Sequence, residues 1–130
     1  MRTTKFKAKR LDNGEWVGGS LTYSQGTAFI HRKESDEDDR CYLTPYEVIP
    51  ETICQFTGLK DCEGKEVWEG DVLSNVTDDS PDGTVVFKYG AFSLLAMNGR
   101  DFCVALTYLL SEKDSLKRFK VIGNKFDKEK

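Results

Sequence analysis

The chain has 130 residues, 38% of them hydrophobic, 12% aromatic and 32% charged, with a formal net charge of −3. That is the size of one ordinary domain, with enough apolar material for a core that needs neither disulfide nor metal to hold it together. No stretch approaches the roughly 18 apolar residues of a membrane helix, so a membrane-spanning chain is not expected.

Most segments read as short strands separated by turn residues, the pattern of a mainly β chain. Lys5 to Leu11 alternates charge with Phe6 and Ala8, a half-buried edge strand. Asp12-Asn13-Gly14 then carries the Asn-Gly pair of a two-residue hairpin, whose turn needs positive φ at both positions. The return strand, Glu15 to Tyr23, offers Trp16, Val17, Leu21 and Tyr23 as core contacts, and Gly18-Gly19 marks a bulge or a close backbone approach. Thr27 to Arg32 and Arg40 to Thr44 are two further strands. The segment between them, Lys33 to Asp39, holds no apolar residue and reads as an exposed, mobile loop.

Pro45 and Pro50 bracket Tyr46 to Ile49, which reads as a connection or a strand edge because proline donates no ladder hydrogen bond. The whole chain is one unit of 1–130, divisible there into an N-terminal β-hairpin portion, 1–49, and a second part, 50–130. In the second part, Ile53 to Thr57, Val67-Trp68, Val72 to Ser74, Thr84 to Lys88, Phe92 to Met97 and Lys117 to Ile122 are each strand-sized. They are joined by turn residues at Asp61 to Gly64, Gly70, Asp82-Gly83 and Gly90. That many short strands suggest a small barrel. Asp101 to Glu112 suits a strand and a helical turn equally.

Val48 to Val72, with its elements Gln55-x-Thr57-Gly58, Asp61-x-x-Gly64-Lys65 and Glu69-Gly70-Asp71, closely resembles the signature of the YopX family, small proteins encoded largely by bacteriophages and prophages. Lys5-Phe6-Lys7-Ala8, the strands around Val85-Val86-Phe87 and Gly90-Ala91-Phe92, and Val121-Ile122-Gly123-Asn124 extend the resemblance over nearly the whole chain. It departs from the family at Cys54, at Trp68 and in the short tail Lys125-Phe126-Asp127. The resemblance implies a mainly β fold whose C-terminal half is an SH3-like small β-barrel, preceded by an N-terminal β portion. It implies no reaction and supplies no catalytic residue.

The signature residues Gln55, Thr57, Gly58, Asp61, Gly64, Glu69, Gly70, Asp71, Gly123 and Asn124 read as turn-builders. Asp61, Glu66, Glu69 and Asp71 could instead gather carboxylates for acid/base work or a hard cation, but Asp and Gly at these spacings are what tight turns demand. Asp78 to Gly83 half-matches a calcium loop, yet Tyr89 stands where the bidentate Glu belongs, so a surface turn is expected. With a hairpin centred on Asp36, the sole histidine, His31, would lie opposite Cys41, the one Cys/His pair available for nucleophilic chemistry. Cys41, Cys54, Cys62 and Cys103 contain no CxxC pair and read as reduced. No catalytic site, metal or cofactor is expected, so the chain reads as not an enzyme.

Charge is uneven. The first ten residues carry five bases and no acid and the last twenty carry seven bases and four acids, which leaves −11 for the stretch between. The acidic residues Asp36, Glu37, Asp38 and Asp39 are the candidate interaction site, a group able to occupy a basic groove on another protein. The expected function is that of a phage or prophage accessory protein that binds a host or phage protein, with homo-oligomers also open through strand edges. The alternative is nucleic-acid binding through the basic ends, with Phe6, Phe119 and Phe126 interleaved, against which stands a pI of about 5.2. Met1 to Lys7 has no apolar h-region behind its positive charges, so the bacterial cytoplasm is the expected compartment.

Overall fold

The computed structural model describes residues 4–77, 82–88, 90–96, 103–106, 115–116 and 118–127. The protein is mainly β. Its strands are β1 (Phe6–Lys9), β2 (Trp16–Ser24), β3 (Thr27–Ser35), β4 (Cys41–Glu47), β5 (Cys54–Asp61), β6 (Glu66–Trp68), β7 (Asp71–Asn75), β8 (Gly83–Lys88), β9 (Ala91–Ala96), β10 (Cys103–Ala105), β11 (Ser115–Leu116) and β12 (Phe119–Asn124). The chain divides into two compact units, Met1–Gln55 and Phe56–Lys130. The division falls beyond Ile49 because Cys54 and Gln55 still pair with Lys7 and Phe6 of β1.

In the first unit β1 to β4 form an antiparallel meander. Alternation sends Ala8, Val17, Ala28, Ile30 and Val48 into one core, with Phe6, Leu21, Tyr46 and Ile53 packed against it. Complete burial of Ile30 alone is worth about 2–3 kcal/mol of transfer free energy. Tyr23, expected in this core, is 64% exposed, because it stands at the free end of the β2–β3 hairpin. Strand β2 pairs with β1 as far as Gly19 and with β3 from Ser20 onward. The change of partner needs a residue without a side chain: a Cβ on Gly19 would lie 2.1 Å from the His31 carbonyl oxygen.

Two turns differ from expectation. The β1–β2 connection is a four-residue loop in which the Gly14 N–H donates to Arg10 C=O and Arg10 N–H to Glu15 C=O. Gly14 has positive φ and Asn13 does not; Asn13 instead uses its side-chain oxygen to accept the Glu15 N–H. Strand β3 also continues to Ser35, three residues beyond Arg32, because Lys33, Glu34 and Ser35 pair with Leu43, Tyr42 and Cys41.

Among the described residues strand β4 is an edge, and its proline shows which backbone groups face outward. Val48 N–H donates to Ala28 C=O across the β3–β4 ladder, whereas Glu47 C=O turns away and accepts Leu11 N–H. The alternation of an antiparallel pair then points Tyr42, Thr44 and Tyr46 toward β3 and Cys41, Leu43 and Pro45 outward. Pro45 thus gives up an N–H that β3 does not use.

The second unit holds a five-stranded antiparallel sheet of order β10-β9-β8-β7-β12. Strand β5 pairs with β6 and, in parallel, with β11. Val67, Leu73, Val85, Leu106, Leu116, Phe119 and Val121 make its core, with Leu59, Phe92 and Leu94 against it. The expected barrel is not closed among the described residues: β10 and β12 are the sheet's two edges. Beside the β12 edge, Cys62 N–H donates to Phe119 C=O and the Asp61 carboxylate accepts Val121 N–H, so the turn after β5 meets β12 through one backbone bond and one side chain rather than through a strand ladder. Of the ambiguous Asp101 to Glu112, residues 103–105 are strand and 107–112 lie outside the described residues.

Candidate functional site

Strand β5 ends at Asp61, which is 1% exposed. Its Oδ1 accepts the N–H groups of Glu63 and Lys65 at 2.8 and 2.9 Å, and its Oδ2 accepts Val121 N–H at 2.9 Å. Gly64, at φ 82°, closes the turn by donating to Asp61 C=O. Burial alone would push the Asp61 carboxyl up, but the N–H groups of Val121, Lys65 and Glu63 outweigh it and hold the carboxyl below its usual range. A carboxyl depressed in the folded state contributes stability above its unfolded pKa of about 3.9, and that stability is lost as pH falls through the folded value. Unfolding free energy is therefore expected to fall on acidification below about pH 4, with a shallower fall in Asp61→Asn, as urea titrations at several pH values would measure.

The second cluster joins Glu69-Gly70-Asp71 to the end of β12. Asp71, 2% exposed, accepts Trp68 N–H on Oδ2 at 2.8 Å and the Asn124 side-chain amide on Oδ1 at 2.9 Å. Asn124 Nδ2 also reaches Glu69 C=O, and Asn124 Oδ1 accepts Phe126 N–H. Gly70, at φ 89°, donates to Val85 C=O and accepts from Lys125 N–H. Asp127, in the short tail, accepts Asn124 N–H. Gly123 lies beside a register shift between Val121 and Gly123 where β12 pairs with β7. Thr57 and Gly58 fall in another, between Phe56 and Lys60 of β5, where Thr57 Oγ1 donates to Val67 C=O and Gly58 has φ 88°. Gln55 stands opposite Phe6. The carboxylates of Asp61 and Asp71 face hydrogen-bond donors of the fold itself, which is what turn and corner residues do.

The other candidate surface is the β3–β4 hairpin. Its tip is not a loose loop. Asp36 Oδ1 accepts the N–H groups of Asp38 and Arg40, Asp36 C=O accepts Asp39 N–H, and Asp39 takes positive φ, 60°. The Arg40 guanidinium pairs with Asp38 at 2.9 Å and Asp36 at 3.7 Å. Glu37 and Asp39 are exposed on this preformed turn. Farther along, the Tyr46 hydroxyl, the Arg32 guanidinium and the Thr44 hydroxyl all donate to Glu34 and hold its carboxyl below the usual range, and Arg10 and Arg32 lie over the Tyr46 ring. Between this stiff base and the acidic tip, Tyr42 is 48% and Leu43 60% exposed. Neither residue stands out in the sequence as a candidate site. The available signal was a pair of adjacent apolar residues, one for each face of a strand, next to an edge-marking proline.

Two other arrangements differ from expectation. His31 stands opposite Pro45, and Cys41 opposite Ser35, because the longer β3 moves the hairpin centre from Asp36 to Asp38; His31 Nε2 bonds Thr22 Oγ1 instead. Of the aromatic residues near the basic ends, Phe6 packs on the first core and Phe119 lies in the second, leaving Phe126 half-buried beneath Lys125. Among the described residues no group of three His, Cys, Asp or Glu could hold a metal ion, and no helix is long and apolar enough to cross a membrane. Most of the half-matched calcium loop, residues 78–81, lies outside the described residues.

A family model described as "YopX protein" matches residues 5–129. Among solved structures, protein EF1440 from Enterococcus faecalis is similar with a TM-score of 0.61 at 18% identity, over 95% of this chain and 94% of that one. That likeness concerns the fold. No curated protein matches the chain.

Proposed function

Because the chain belongs to the YopX family, we propose that it is a phage- or prophage-encoded accessory protein of the bacterial cytoplasm, which works by binding another protein and performs no chemistry of its own. The observation that carries this reading is the β3–β4 hairpin: Tyr42 and Leu43 stand exposed on an edge strand directly beside a structured acidic turn. Exposed apolar side chains next to an open strand edge are a liability unless something covers them. The SH3-like character expected of the second unit fits the same reading, since small β folds commonly bind partners along an edge. Nucleic acid is the weaker partner, because Phe119 is buried in the second core and Phe6 packs against the first, which leaves few rings free to stack bases.

A Leu43→Lys variant tests the reading, because Leu43 contributes to neither core and the fold is expected to change stability by less than about 0.5 kcal/mol. Tagged wild type and variant are exposed to a bacterial host lysate with and without nuclease. A protein held by the wild type in both treatments and lost by the variant is the expected result. Retention that depends on nucleic acid, or that Leu43→Lys leaves unchanged, would overturn it.

A further inference from the structure

Resting on the hairpin reading, we infer that the partner docks as an extended basic segment, added as an antiparallel strand to the Cys41–Pro45 edge of β4, with an apolar residue opposite Leu43 and Lys or Arg running on beside the acidic turn. The edge offers the N–H groups of Cys41 and Leu43 and the C=O groups of Cys41, Leu43 and Pro45, all turned away from β3. Pro45 withholds one donor, so the incoming strand must donate there without receiving. None of the residues from Cys41 to Pro45 is charged, although edge strands that stay unpaired usually carry a charge.

Past Cys41, four carboxylates at Asp36 to Asp39 face one guanidinium, Arg40. In an antiparallel partner, the residues that follow the one opposite Cys41 run toward this turn, and positive charge there gains attraction from both the exposed Glu37 and Asp39. The same charges argue against a second copy of this chain. A two-fold register centred on Leu43 would set Asp39 of one copy opposite Glu47 of the other, and like charges facing across strands repel.

The test uses the intact chain and three labelled, end-blocked peptides followed by fluorescence anisotropy: TVTITVTKRK, the acidic version TVTITVTEDE, and TVTITVTKRK N-methylated at its isoleucine. The basic peptide is expected to bind at least about ten times more tightly than the acidic one and to weaken as salt screens the turn. N-methylation, which removes the ladder donor opposite Leu43 while leaving the protein untouched, is expected to cost about tenfold or more. Equal affinity for the first two peptides, indifference to N-methylation, or no binding of the basic peptide would overturn the inference. So would a chain that sediments as a dimer with the Leu43 amide protected. Lysate capture that still depends on Leu43 would then preserve the broader reading while discarding this one.

Discussion

Replacing Asp61 by Asn is expected to lower the unfolding free energy by about 3 kcal/mol, a change of similar size and shape with a large effect. The wild-type carboxylate accepts three backbone N–H groups from a site that is 1% exposed. An amide has one oxygen. If that oxygen faces the Glu63 and Lys65 amides, its NH₂ confronts Val121 N–H; if it faces Val121, two donors of the turn lose their acceptor. The first orientation leaves the buried Val121 N–H without a partner and the second strips the acceptor from two part-buried donors, at roughly 1–3 kcal/mol for the buried one, and both remove the charge that strengthened the remaining bonds. Urea unfolding should show a lower midpoint with an unchanged slope, since the surface exposed on unfolding is the same. A midpoint within experimental error of wild type would mean that the corner is held by packing of Leu116, Phe119 and Val121 alone.

Gly19→Ala is expected to cost about 4 kcal/mol or more, enough to prevent folding of the first unit in many backgrounds. Its Cβ would sit 2.1 Å from the His31 carbonyl oxygen and 2.9 Å from the carbonyl carbon, and both obstacles are backbone. Relief would require β3 to move away from β2, breaking the Ser20–His31 register. The φ of 155° adds strain that an L-residue resists. Gly14→Ala is the matched control: φ is 74° but nothing lies within 4 Å, so only the conformational penalty of about 1 kcal/mol remains. Thermal melts should separate the two by roughly 10 °C or more.

The parts legible in the sequence were those governed by local chemistry. Strand positions followed from alternation, and the Gly18-Gly19 pair marked the place where β2 changes partner. Residues Asp61 and Gly64 announced a turn, although nothing local showed that Asp61 also reaches Val121, sixty residues away. The same limit hid the link between Asp71 and Asn124, two signature residues far apart in the chain that meet in one hydrogen bond. The hairpin tip misled for a different reason. Lys33 to Asp39 is polar throughout, which suits a solvated loop, but Lys33 to Ser35 pair because Cys41 to Leu43 supply the opposite strand, and Asp36 with Arg40 ties the tip. Whether β12 gains a strand on its outer edge or only the Cys62 amide and the Asp61 carboxylate is set by contacts between residues distant in the chain, which periodicity does not encode.

Among the described residues β4 presents an open ladder edge beside an acidic turn, and amide hydrogen exchange of the free chain, resolved residue by residue by NMR, reads that edge amide by amide. Tyr42 and Thr44, bonded to β3, should exchange slowly, while Cys41 and Leu43, whose N–H groups point outward, should exchange rapidly. Alternating slow and fast amides along Cys41 to Thr44 is the expected result. Protection at Cys41 and Leu43 equal to that of their neighbours would mean that the edge is already covered and is not free to take a partner strand.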